Sequence, residues 1–129
     1  MALVAECMAR DLLVVEPSTP LEEAARRMAE RNVGTVLALE GDRVVGILTE
    51  RDVLRAVAAG LDPGDPVSRW MTAHPETVDA SDTTEHAATL MIHGGFRHLP
   101  VLEDGKLAGM LSIRDLVRLT LSDAAPRGV

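Results

Sequence analysis

Two hydroxyl–carboxylate pairs offer the chain's clearest chemistry. Thr49 stands three residues before Asp52 in GILTERDVLR (46–55), and Ser112 three before Asp115 in GMLSIRDLVR (109–118). In each, a glycine opens a short apolar run, the hydroxyl follows, and a helical apolar periodicity begins beyond it. Ser/Thr-x-x-Asp at a helix start resembles a capping box, in which hydroxyl and carboxylate each accept a backbone N–H. Aspartate is one methylene shorter than the usual Glu, so an incomplete box is expected, with the carboxylate left to face a ligand. An ionised carboxylate beside first-turn N–H groups can accept hydrogen bonds from two adjacent hydroxyls, the pair that a ribose 2′,3′-diol presents.

The elements that position these pairs recur. Shifting the chain by 63 residues aligns 8–57 with 71–120 without a gap, and fourteen of the fifty positions are identical. At ordinary composition about three or four would match by chance. This is an internal duplication. Each copy reads β-α-β-β-α. Leu12–Val15 is a short strand. Ser18 caps a helix whose buried face is Leu21, Ala24, Ala25 and Met28. In the second copy Ser81 takes the cap, and Ala87, Ala88 and Met91 repeat the stripe. Val33–Glu40 and Arg43–Leu48 form a hairpin about Gly41-Asp42, matched by Arg97–Leu102 and Lys106–Leu111 about Asp104-Gly105. A closing helix follows, with Val53, Leu54, Val57 and Ala58 as its apolar face. Leu61–Val67 is a proline- and glycine-rich connector.

Composition narrows the function. The 129 residues are 47% hydrophobic and 2% aromatic, so aliphatic side chains and methionine must build the core. A net charge of −7 argues against a non-specific grip on nucleic acid or an anionic membrane. One cysteine, Cys7, allows no intrachain disulfide and fits a reducing compartment. No apolar run reaches the roughly 18 residues of a membrane span, and no signal peptide is recognisable. A cytoplasmic location is expected. His74, His86, His93 and His98 lack the spacing of a metal site. Met28 and Met91 read as core, and Trp70 as packing. No nucleophile has an evident base, and neither the dinucleotide fingerprint nor the P-loop is present, so catalysis is not expected.

The stretches 46–52 and 109–115, the strand RHLPV (97–101), and Met8 and Met71 at the repeat starts together resemble the cystathionine-β-synthase (CBS) domain. The tandem resembles a CBS pair, or Bateman module, over about residues 5–121. The resemblance implies an α/β (α+β) fold of two β-α-β-β-α motifs packed sheet to sheet with pseudo-twofold symmetry. It divides the chain into 1–63, 64–121 and a flexible tail, 122–129. It implies two clefts for adenosine-containing ligands (AMP, ADP, ATP or S-adenosylmethionine) and a regulatory role without a catalytic cofactor. One cleft would use Asp115 and Ser112, with Leu13 and Val33 against the base, Met8 at the entry, and Arg97 and His98 on phosphate. The other would use Asp52 and Thr49, with Glu76 and Phe96 against the base. Gly34 and Thr35 stand there in place of Arg97 and His98, so it is expected to hold phosphate less well. A homodimer of CBS pairs and an unidentified regulated protein are the expected partners. The alternative is a dimerisation or interaction module without ligand, in which the pairs only cap helices.

Overall fold

A computed structural model of the chain describes residues 2–124. It is a mixed α+β structure that divides into two compact units. One is Leu12–Pro75; the other joins Met1–Asp11 to Glu76–Val129. The sequence boundary at residue 63 follows the repeat. The spatial units instead exchange opening segments, so residues 1–11 belong with the second repeat and residues 64–75 with the first.

In the unit Leu12–Pro75, a four-stranded sheet runs in the order β1 (Val14–Val15), β2 (Thr35–Glu40), β3 (Arg43–Thr49), β4 (Thr72–Ala73). β1 pairs parallel to β2, as a crossover through helix α2 (Leu21–Arg31) requires; the other pairings are antiparallel. Leu21, Ala24 and Met28 on α2 are buried, as their spacing predicts. They meet Val36, Ala38, Val45 and Leu48 of the hairpin in one apolar core. Leu48 is fully buried, and burial of a side chain of that size stabilises by about 1.5–3 kcal/mol. A one-residue slip would turn this set outward, so the core fixes the register Val36↔Leu48. α3 (Glu50–Ala58) and α4 (Val67–Trp70) complete the unit.

The second unit repeats this plan with β5 (Val78–Asp79), α5 (Thr84–Gly94), β6 (His98–Glu103), β7 (Lys106–Ser112) and α6 (Ile113–Ala124), preceded by α1 (Val4–Cys7). Its core gathers Val4, Met8, Val78, Ala87, Met91, Leu99, Val101 and Leu111. At the β6–β7 turn Asp104 and Gly105 both take positive φ (53° and 78°), which suits a tight two-residue hairpin.

The exchanged segments dock alike. Thr72 pairs with Ile47 on β3; Ala9 pairs with Met110 on β7 through hydrogen bonds of 2.8 and 2.9 Å. Ala9 and Met110 each lie 63 positions from their counterparts. Beside each pairing a methionine covers the glycine that opens the repeated stretch. A Cβ on Gly109 would lie 2.6 Å from the Met8 sulfur, and one on Gly46 would collide with Met71. Glycine is needed there because another chain segment lies directly on the strand.

Several local expectations change. Ser18 does not cap α2: Pro20 is its N-cap without a side-chain bond, while the Thr19 hydroxyl accepts from the Glu16 N–H. Thr83, not Ser81, caps α5, accepting from the His86 N–H; the Ser81 hydroxyl is engaged with Asp79. On α3 the buried residues are Asp52 and Ala56, with Val53 packed against the core, whereas Leu54 and Val57 are exposed. The helical turn α4 begins at the connector's last residue, Val67, and α6 continues through Ala124, three residues into the stretch expected to form a loose tail. Residues 125–129 of that tail lie outside the described residues.

Candidate functional site

Each hydroxyl–carboxylate pair sits where the last strand of a hairpin becomes a helix. In the unit Leu12–Pro75 the Thr49 backbone is extended (φ −115°, ψ 167°), and Glu50 begins α3. Asp52 Oδ2 accepts from the Thr49 amide at 2.9 Å and from its hydroxyl at 3.1 Å. The Asp52 amide donates back to Thr49 Oγ1 at 3.3 Å. In the other unit the distances for Ser112 and Asp115 are 2.8, 2.9 and 3.1 Å. Both boxes are therefore complete, and the expectation that aspartate falls short is corrected. The extended cap residue turns its N–H and hydroxyl to the same side, where one carboxylate oxygen reaches both.

That geometry holds each aspartate by Oδ2 and leaves Oδ1 as the remaining acceptor. At Asp52, Oδ1 lies 3.6 Å from the exposed Arg55 guanidinium, and the residue is only 7% exposed. Asp115 is more open. The flanking strand starts differ further. Thr35 pairs with Thr49 on β2–β3, and His98 with Ser112 on β6–β7. Backbone bonds tie the neighbouring residues: Glu50 N–H to the Gly34 carbonyl at 3.0 Å, and Ile113 N–H to the Arg97 carbonyl at 2.9 Å. Arg97 is exposed and His98 half-buried.

Burial pushes the His98 pKa down. Asp115 opposes that shift, and Arg97 and Arg114 add to it. The Cys7 thiol is pushed up by burial first, then by the charges of Asp115 and Glu6. His98 and Cys7 both sense the Asp115 carboxylate electrostatically, and His98 pairs with Ser112 across β6–β7.

The expected site residues separate as follows. Met8, Glu76, Phe96, Arg97, His98, Ser112 and Asp115 belong to one unit; Leu13, Val33, Gly34, Thr35, Thr49 and Asp52 belong to the other. Leu13 is buried in the core of Leu12–Pro75, and Val33 packs against that core. Met8 is buried beneath β7, Phe96 is partly buried, and Glu76 is exposed. Among the described residues no three His, Cys, Asp or Glu side chains gather as a metal site. A depression lined by Glu16, Pro17, Ser18, Leu39, Glu40 and Gly41 lies at the opposite end of the β2–β3 hairpin from Thr49 and carries no cation.

Two features escaped the sequence reading. One is the methionine–glycine packing, signalled by Met8/Met71 and Gly46/Gly109 recurring at one offset. The other is Glu50, whose side chain lies over Gly34. The signal for it was that Glu50 and Gly34 both change type in the second copy, to Ile113 and Arg97.

No helix of the described residues is long and apolar enough to cross a membrane. The CBS domain family model matches residues 4–59 and 67–122. An uncharacterized 17.7 kDa protein of Acidianus ambivalens is 39% identical over 92% of this chain and 73% of its own length. Across the first three curated relatives the chain spans between 44% and 73% of their lengths. Among solved structures, a CBS domain protein of Pyrobaculum aerophilum complexed with AMP superposes with a TM-score of 0.82 at 31% identity, covering 94% of this chain and 98% of that one. CBSX2 in complex with AMP does so at 0.80 and 29%, covering 96% and 99%. CBS-pair proteins are in general regulatory. With both repeats matched and both hydroxyl–carboxylate pairs closing the same box, the chain belongs to the CBS domain family and carries two such domains in tandem.

Proposed function

We propose that this CBS pair is a sensor of adenosine nucleotides that binds its ligand first at the Ser112–Asp115 niche. The observation that carries the reading is the arrangement of Asp115. Its Oδ2 is fixed by the Ser112 amide and hydroxyl, and Oδ1 remains to accept a ribose hydroxyl. Arg97 precedes and His98 opens the neighbouring strand, where a guanidinium offers phosphate oxygens a rigid fork of donors and the imidazole adds an N–H donor. The AMP complexes of two relatives support the ligand class. The function is binding, not catalysis: ligand binding biases the chain towards one arrangement that a regulated protein recognises. A homodimer in the cytoplasm is the assembly we expect.

The test is a thermal-shift panel of AMP, ADP, ATP, S-adenosylmethionine and NAD. A ligand at a hundred times its Kd stabilises by about 2.7 kcal/mol. A shift with a phosphorylated adenosine ligand, lost in Asp115→Ala, supports the reading. No shift with any compound at millimolar concentration overturns it in favour of the second reading, an interaction module. That alternative draws on exposed apolar side chains: Leu54 and Val57 on α3, Ile92 on α5, and Val117 and Leu121 on α6.

A further inference from the structure

Gly34 and Glu50 make an arrangement that the second repeat does not copy. A Cβ built on Gly34 would stand 2.5 Å from Oε1 of Glu50, and 3.2 and 3.3 Å from its Cδ and Cγ. The Glu50 side chain therefore lies along the Gly34 backbone and fills the space where a side chain at position 34 would begin. At the equivalent positions the second repeat has Arg97 and Ile113. The exchange is reciprocal. One niche has a carboxylate over a bare backbone; the other has a guanidinium and a hydrocarbon. Arg51 and Arg114 are common to both, as are Asp52 and Asp115, so this pair together with Thr35/His98 sets the difference in charge. Arg55 lies 3.6 Å from Asp52, which leaves the Glu50 charge as the distinctive feature of the first-repeat niche.

The geometry points to Glu50 as the residue that sets ligand charge at the Thr49–Asp52 niche, rejecting phosphorylated adenosine ligands and admitting adenosine compounds that are neutral or cationic at the 5′ end. This rests on the adenosine reading above. A carboxylate and a phosphate a few ångströms apart repel through a partly screened medium, which weakens phosphate binding by about tenfold. A neutral adenosine meets no such repulsion, and a 5′ cation is attracted.

The experiment uses the full chain carrying Asp115→Ala, so that the first-repeat niche is read alone, with folding checked by circular dichroism. Adenosine and AMP are titrated calorimetrically with and without Glu50→Gln. The expected result is that adenosine binds at least tenfold tighter than AMP, and that Glu50→Gln strengthens AMP about tenfold while changing adenosine less than twofold. The transplant Gly34→Arg with Glu50→Ile should then favour AMP over adenosine. An AMP-to-adenosine ratio unmoved by Glu50→Gln overturns this inference alone. So does a folded Asp115→Ala chain that binds neither compound when the unsubstituted chain binds one. If the unsubstituted chain binds neither, the adenosine reading falls and this inference falls with it.

Discussion

The Thr49–Asp52 and Ser112–Asp115 niches share a backbone and differ in charge. Both close the same box with distances that agree within about 0.2 Å, and both begin a helix at the end of a hairpin. Yet one is flanked by Gly34, Thr35 and Glu50, and the other by Arg97, His98 and Ile113. The scaffold residues are those whose change would break the turn from strand to helix. The flanking residues are exposed or half-buried and can vary without loss of fold. A duplicated unit can thus keep its architecture while its two sites diverge in what they recognise.

The sharpest way to break the symmetry is through the glycines. Gly109→Ala places a methyl group 2.7 Å from the Ala9 carbonyl as well as against Met8, so backbone must move. Gly46→Ala meets only the Met71 side chain among its nearest atoms, which can swing aside. Overpacking of this kind costs about 1–3 kcal/mol, with Gly109→Ala expected at the top of that range and Gly46→Ala at the bottom, read by urea denaturation. Equal losses would mean that the two dockings are energetically alike.

Next in size is the ligand effect of the aspartates. Asp115→Ala should weaken AMP binding by about 2 kcal/mol, the scale of a charge-assisted hydrogen bond, and Asp52→Ala should leave it within about twofold. Both variants lose a helix box, at a cost of about 1 kcal/mol in thermal stability, so calorimetry on folded protein separates recognition from capping. Equal loss of AMP affinity in both would end the proposed asymmetry. Arg97→Gly, which copies the first repeat, should weaken AMP about tenfold while sparing adenosine.

The smallest effect is that of pH, and it belongs to one niche because His98 is Thr35 in the other. Burial holds the folded His98 pKa below its ordinary value of 6.5, with Arg97 and Arg114 lowering it further and Asp115 opposing. The unfolded chain therefore takes up the proton first. Stability is full above pH 6.5 and declines as pH falls from there towards the depressed folded value. A bound phosphate favours the protonated ring, so AMP affinity should rise about threefold over the same descent, with proton uptake visible in calorimetry across buffers of different ionisation enthalpy. His98→Thr should abolish both trends.

The fold was largely legible because the duplication read every element twice. A gapless offset and two matching apolar stripes placed the hairpins and the helices α2, α3, α5 and α6 within a few residues. The helix caps were less legible. Ser18, Thr19, Thr83 and Ser81 are all chemically able to cap, and only the path of the backbone into α2 and α5 selects Pro20 and Thr83. The exposure of Leu54 and Val57 was hidden because periodicity marks a helical stripe without saying how much of it the sheet covers. At the site, the hydroxyl–carboxylate pairs were evident. The Glu50 contact was not, because it depends on a rotamer lying across a neighbouring strand.

The docking of Met8 and Ala9 on β7, and of Met71 and Thr72 on β3, also bears on how the chain holds together. Each repeat lays its opening segment on the last hairpin strand of the other, as the strand β4 on β3 and as a single bridge at Ala9 on β7, so the two repeats are linked by exchanged segments on one polypeptide. The connector turns what would be a concentration-dependent association into an intramolecular one, with an effective concentration on the millimolar scale for a short linker. Cleaving the chain within Asp62–Gly64 would restore dilution as a denaturant, and the melting temperature of the nicked protein would then fall as it is diluted.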